Sequence, residues 1–149
     1  MKKLPVRDNV FIECIDFLTD QEGLKRPQII NRLHLAEAVY GPIKRNLNRF
    51  DFRQYKIVEL LLLTLDTYNI YTTGEEETLM KRVEEEGENS YIRPEEVGPI
   101  MKKYEEEKNK SILTWRNYQI DNNIEDILTR IEAHFKFVDE EKIKKFVSY

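Results

Sequence analysis

Few side chains in this chain have the type and spacing that chemistry requires. There are two histidines, His34 and His134, and one cysteine, Cys14. They lie far apart, with no second histidine or cysteine at the three- or four-residue spacing that puts two ligands on one helix face. No Gly-rich phosphate loop, Gly-x-Ser-x-Gly or His-Glu-x-x-His occurs. Three acidic clusters, Glu75–Glu77, Glu84–Glu86 and Glu105–Glu107, could gather cations, but each abuts Lys or Arg at helical spacing, the pattern of a solvated helix face. The expectation is a protein without cofactor or metal, and not an enzyme.

The most suggestive stretch is basic, Arg26 to Arg53, RPQIINRLHLAEAVYGPIKRNLNRFDFR. Its frame resembles a helix-turn-helix unit. Ile29, Ile30 and Leu33 would pack a first helix, Leu35 would sit in the turn, and Tyr40 and Ile43 would anchor a second. The stripe from Val10 to Leu18 would support both. Lys44, Arg45, Asn48 and Arg49 would then supply phosphate-binding charge and amides able to read base edges. An alternative frame begins the second helix at Pro42, because an interior proline costs a helix about 3 kcal/mol. An ordinary helical pair with a solvated cationic face accounts for the same residues.

Arg130 and His134 enclose three residues, one fewer than the Arg-x4–6-His motif of the HEPN ribonucleases, which the segment resembles. That resemblance implies a helical nuclease with Arg130 and His134 meeting one phosphate. The spacing departs from the motif, and a histidine near a helix end accounts for His134 without function. Tyrosine is enriched at interface hot spots, and Tyr91, Tyr104 and Tyr118 lie near the acidic clusters, so they are the candidate partner-binding residues. Eight tyrosines and seven phenylalanines also exceed what one modest core encloses, a hint of self-association or docking.

The elements that would position these groups are helical. With 149 residues the chain fits one domain, residues 1–149. Five glycines, five prolines and 35% charged residues favour helices over a turn-rich sandwich or barrel. A lone cysteine gives no internal disulfide, and the start has no apolar region behind its lysines, so a cytoplasmic protein is expected. The net charge of −4 hides an asymmetry: residues 1–58 carry eleven Lys/Arg against seven Asp/Glu, and the remainder 13 against 21. This divides the domain into a basic tri-helical part, 8–53, and an acidic helical part, 54–149.

Everything is arranged around Tyr55–Tyr71, YKIVELLLLTLDTYNIY, read as one central helix buried on most sides, because apolar residues recur all round it. A buried strand is the competitor, and leucines rather than valines weigh against it. Its apolar run is too short to span a bilayer, which needs about 20 residues.

Other helices follow from caps and stripes. Asp8 would open a helix containing Val10, Phe11, Cys14, Ile15 and Leu18, with Gly23 ending it. Pro27 would start a second, running to Leu35, and Gly41-Pro42 interrupts the pattern before a third. Thr73 with Glu76 matches a capping box for a helix that Gly87 stops, and 88–94 reads as a surface loop. Gly98-Pro99 opens another helix. Residues 111–120 fit either a short strand or a helical continuation carrying Trp115 inward. Asn122 or Asn123 caps a helix with the seam Ile124, Ile127, Leu128, Ile131 and Phe135, and a last short helix begins at Asp139.

The expected fold is therefore an all-α bundle of six or seven helices with a short strand possible near 111–120. The expected function is a non-catalytic interaction or assembly protein that binds a protein partner or itself, without a membrane. The alternatives are a helix-turn-helix-like nucleic-acid binder using 26–53 and a helical nuclease-like enzyme.

Overall fold

The computed structural model describes residues 10–20, 29–30, 33–46, 50–119, 121 and 123–147. They are mostly helical, with one small sheet. Six α-helices are α1 (Val10–Thr19), α2 (His34–Arg45), α3 (Phe52–Thr64), α4 (Glu76–Glu86), α5 (Val97–Lys110) and α6 (Ile124–Val147). Two strands, β1 (Asn69–Thr73) and β2 (Trp115–Gln119), pair in parallel with Asn69 opposite Trp115 and Thr73 opposite Gln119. Parallel strands need a long crossover, and here it holds α4 and α5 together with single 3-10 turns at Gly87–Asn89 and Pro94–Glu96.

The core lies where α1 crosses α3. Cys14 and Leu18 of α1, Leu35 and Ala38 of α2, Phe50, and Tyr55, Val58 and Leu62 of α3 are buried together with Leu113. Phe11 and Ile15 pack against this cluster, so the stripe read from the sequence is the face α1 buries. The proposed ends of α1 at Asp8 and Gly23, the helix start at Pro27 and Asn122 lie outside the described residues.

The central helix is shorter and earlier than Tyr55–Tyr71. It starts at Phe52 because Asp51 caps it. The Asp51 carboxylate accepts the Gln54 backbone N–H at 2.9 Å, and the Gln54 side chain accepts the Asp51 N–H at 3.0 Å. It ends at Thr64 because Asp66 takes a left-handed conformation, φ 53°, which Asp tolerates better than most residues. Beyond that, the aromatic and β-branched NIYTT prefers a pleated surface and forms β1. Nor is α3 buried on most sides. Tyr55, Val58, Glu59 and Leu62 face inward, while Ile57, Leu60 and Leu63 face outward and are exposed.

Helix α2 also departs from expectation. Ile29 and Ile30 are exposed and not helical, and Leu35 is buried inside α2 rather than placed in a turn. Gly41-Pro42 does not interrupt the helix, which runs on to Arg45 and closes on left-handed Asn46, φ 50°. The proline penalty is offset by the buried side of α2, formed by Leu35, Ala38 and Val39, and by an ion pair across the proline turn, Arg45 Nη2 to Glu37 Oε1 at 2.6 Å. The two separate helices of a helix-turn-helix are therefore absent from residues 33–46. In α5 the same Gly-Pro-Ile falls in the first turn, where no N–H partner is lost.

Three boundaries complete the picture. Thr73 caps nothing: it belongs to β1, and α4 starts after Glu75 without a side-chain cap. Gly87, at φ 56°, ends α4 in a conformation cheap only for glycine. The break expected at Asp139 does not occur, since no glycine or proline lies between Ile124 and Val147 and one helix of 24 residues continues through it. Asn123 accepts the Glu125 N–H at 2.9 Å and so supports its start.

Candidate functional site

Two of the cations singled out in the basic segment, Lys44 and Arg45, are already engaged. Lys44 forms an ion pair with Glu96, and its ammonium lies 5.1 Å from the centre of the Tyr91 ring. This contact, with the Arg93 backbone N–H, holds the Glu96 carboxyl below the usual range. Arg45 is bound by Glu37. Asn48 and Arg49 lie outside the described residues. Two of the four proposed phosphate contacts are thus occupied by carboxylates of the protein itself.

The three candidate tyrosines fall in different environments. Tyr91 is 59% exposed. It begins an aromatic row that runs through Tyr40, 6.1 Å away, to Tyr104, a further 6.0 Å, and on to Tyr71 at 5.7 Å. Tyr104 packs against the core as part of this row, where α2 meets α5. Lys108 lies 4.4 Å above Tyr71 and covers its end. Tyr118 is buried, with its hydroxyl 2.7 Å from that of Tyr68. Of the three, Tyr91 is the exposed one.

The most unusual group is one the sequence reading passed over. Glu59, on the inward face of the leucine-rich helix, is 0% exposed. Its carboxylate accepts hydrogen bonds from the Ser111 hydroxyl, from the Ile112 backbone N–H at 3.0 Å and from Lys56 Nζ at 3.1 Å. His34 Nε2 stands 3.5 Å away, an electrostatic contact. Ser111 in turn accepts the Trp115 indole N–H at 2.9 Å, and Lys56 also donates to the Lys110 carbonyl at 2.8 Å. One buried carboxylate thereby fixes the turn that delivers the chain from α5 into β2. The signal for it was present: a lone acid inside an apolar helix, three residues after a lysine, must be exposed or paired.

Burial alone would raise the Glu59 carboxyl, but the contacts with His34, Ser111, Ile112 and Lys56 outweigh it and hold the group at about 2. The ionised form therefore favours the folded state. That contribution is complete above the ordinary value of 4.5 and is withdrawn as pH falls from there to about 2. The protein is expected to lose about 2–3 kcal/mol through this window. Denaturant midpoints measured from neutral pH downward check it, and Glu59→Gln should flatten the acid limb. An equally steep limb in the variant would place the loss on other carboxylates.

Beside Glu59, His34 and Cys14 line a cavity of about 280 Å³ together with Glu37, Tyr40, Arg45, Phe50 and Tyr91. The order Cys14, His34, Glu59 resembles a nucleophile, base and orienting acid. Burial, however, pushes the Cys14 thiol up to about 11, and the thiol rather than the reactive thiolate prevails at neutral pH. Among the described residues, no three His, Cys, Asp or Glu side chains converge as a metal site.

Helix α6 carries the other features of note. Ile127, Ile131 and His134 are half-buried, but Ile124, Leu128 and Phe135 of the same expected seam are 69%, 52% and 44% exposed. Arg130 and His134 do lie near one another in space, against Tyr118 and Tyr68 respectively. No described helix is long and apolar enough to cross a membrane. No family model, curated protein or solved structure matches the chain.

Proposed function

We propose that this protein is a non-catalytic, cytoplasmic assembly protein that pairs with a second copy of itself through α6. The observation that carries the reading is the uncovered apolar stripe on that helix. At 100° per residue, Ile124, Leu128 and Phe135 fall within about 40° of one another and roughly 70° around from the side that Ile127, Ile131 and His134 turn toward the body. Phe137, 62% exposed, lies on the opposite flank. An apolar band this wide with half its width in water is the signature of a surface awaiting a partner.

Charge selects a second copy as the occupant. Helix α6 spans about 36 Å, acidic where it begins, at Glu125 and Asp126, and basic in sequence where it ends, at Lys142, Lys144 and Lys145. Two such helices laid antiparallel about a two-fold axis put each acidic start beside the other's basic end, with the apolar stripes between. Nothing comparable supports nucleic-acid binding, since Lys44 and Arg45 are held by Glu96 and Glu37.

The test is mass against concentration by light scattering or sedimentation. The wild-type value is expected to rise from 18.0 kDa toward twice that. Leu128→Glu/Phe135→Glu, with helicity unchanged by circular dichroism, is expected to stay monomeric. A wild-type monomer at every concentration would overturn self-association. A dimer lost in Leu60→Glu but kept in the α6 variant would move the interface to the outer face of α3.

A further inference from the structure

Where α6 touches β2 and the segment before β1, side chains from three separated segments meet around two tyrosines. Tyr68, just before β1, and Tyr118, in β2, share a hydrogen bond of 2.7 Å between their hydroxyls. The Arg116 guanidinium lies 4.2 Å from the centre of the Tyr68 ring, and that of Arg130 lies 6.0 Å from the centre of the Tyr118 ring. The His134 ring meets Tyr68 edge to face at 5.1 Å, with Nε2 3.4 Å from the Asp66 carbonyl oxygen. From these positions we propose that Tyr68, Arg116, Tyr118, Arg130 and His134 form a binding site for the phosphate group of a small phosphate monoester.

The donor inventory supports an anion. Among the described residues Arg116 has no carboxylate partner. Arg130 spends only Nε, on Asp126 at 3.1 Å, a pair that is half in water and of little strength. Among the described residues no hydrogen bond or ion pair uses its two Nη groups or the guanidinium of Arg116. The paired phenols hold two protons and use one between themselves, which leaves a second O–H for another acceptor. Burial and the Tyr118 hydroxyl push the Tyr68 phenol up, while Arg116 and Arg130 both pull it down, so both guanidiniums act on the same hydroxyl.

The same inventory selects phosphate. Two planar guanidinium forks match pairs of oxygens on a tetrahedral phosphate, and with a phenol they exceed what the two oxygens of a carboxylate accept. Among the described residues the carboxylate ion-paired to a guanidinium of the cluster is Asp126, on Arg130, so a ligand must bring its own negative charge. The Tyr68 ring is already contacted by Arg116 and His134, and Tyr118 is buried, so neither ring is a free platform for a base. Recognition is therefore confined to the phosphate. The residues differ from the apolar stripe of α6, so this site and self-association stand or fall separately.

Isothermal titration calorimetry with inorganic phosphate and with a nucleoside monophosphate, at ionic strength matched by sodium chloride, tests the site. Both ligands are expected to bind alike, with dissociation constants on the order of 1 mM or tighter. Arg116→Gln/Arg130→Gln should weaken each at least ten-fold with the circular dichroism spectrum unchanged. Arg130→Gln alone, at a side chain 61% exposed, should give a smaller loss in a variant whose fold is not at risk. No binding by the wild type, equal binding by the double variant, or the same heat from chloride would each overturn the proposal. Binding of the mononucleotide without inorganic phosphate would overturn it too, by placing recognition on the base or sugar.

Discussion

Glu59→Ala is expected to cost about 3–5 kcal/mol of folding stability, the range for breaking a buried ion network by removing one partner. The effect comes less from the lost attraction than from what remains. Lys56 Nζ keeps the Lys110 carbonyl, but the Ser111 hydroxyl and the Ile112 N–H lose their acceptor inside the protein. His34, 1% exposed and with neither ring nitrogen hydrogen-bonded among the described residues, loses its one electrostatic neighbour. Because Ser111 also receives Trp115, the turn that sets β2 against β1 should loosen, and the Trp115 fluorescence should shift toward that of an exposed indole. Guanidinium denaturation at neutral pH measures the first effect and the emission maximum the second. An unchanged midpoint would mean that Glu59 is solvated in solution and that the network does not hold the turn.

The second large effect separates two leucines that are two positions apart. Leu62→Ala should cost about 2–5 kcal/mol, because the side chain is 4% exposed in the core and its removal leaves a cavity. Leu60→Ala should change stability by less than about 0.5 kcal/mol, because the side chain is 55% exposed and packs against little. The same pair of variants tests the orientation of α3. Equal costs would mean that the outer face of the helix is covered, by another part of the chain or by a partner, and that Ile57, Leu60 and Leu63 are not free.

Particular residues show which parts of the structure were legible in advance. The stripe through Cys14 and Leu18 gave α1 its buried face, because two residues per turn on one side of an amphipathic helix leave little choice. Gly87 marked the end of α4, and the mixture of β-branched and aromatic residues at 111–120 left room for the strand that β2 became. In Gly41-Pro42 and Gly98-Pro99 identical dipeptides behave differently, one inside α2 and the other in the first turn of α5, and no local rule separates them. Of the proposed site residues, Lys44 and Arg45 turn out to be spoken for by Glu96 and Glu37, which lie 52 and eight positions away respectively. The cluster at Tyr68 joins residues from 68, 116–118 and 130–134, and its tyrosine pair spans 50 positions. Arg130 and His134 were visible as a pair; Arg116 and the two phenols that complete their surroundings were not.

By itself the sequence determined that the chain is mainly helical, that α1, α4 and α5 lie roughly where their apolar stripes put them, and that no described helix is long and apolar enough to cross a membrane. Those properties depend on periodicity and on residues within one or two turns of each other. Only the tertiary structure decided where the leucine-rich stretch stops being helix, which of its leucines are buried, and that Glu59 lies at the centre of the fold with its charge intact. An apolar run all round a helix contains no information about which side its neighbours cover. A buried carboxylate is tolerated only where distant donors, here Ser111 and the Ile112 N–H, arrive to meet it.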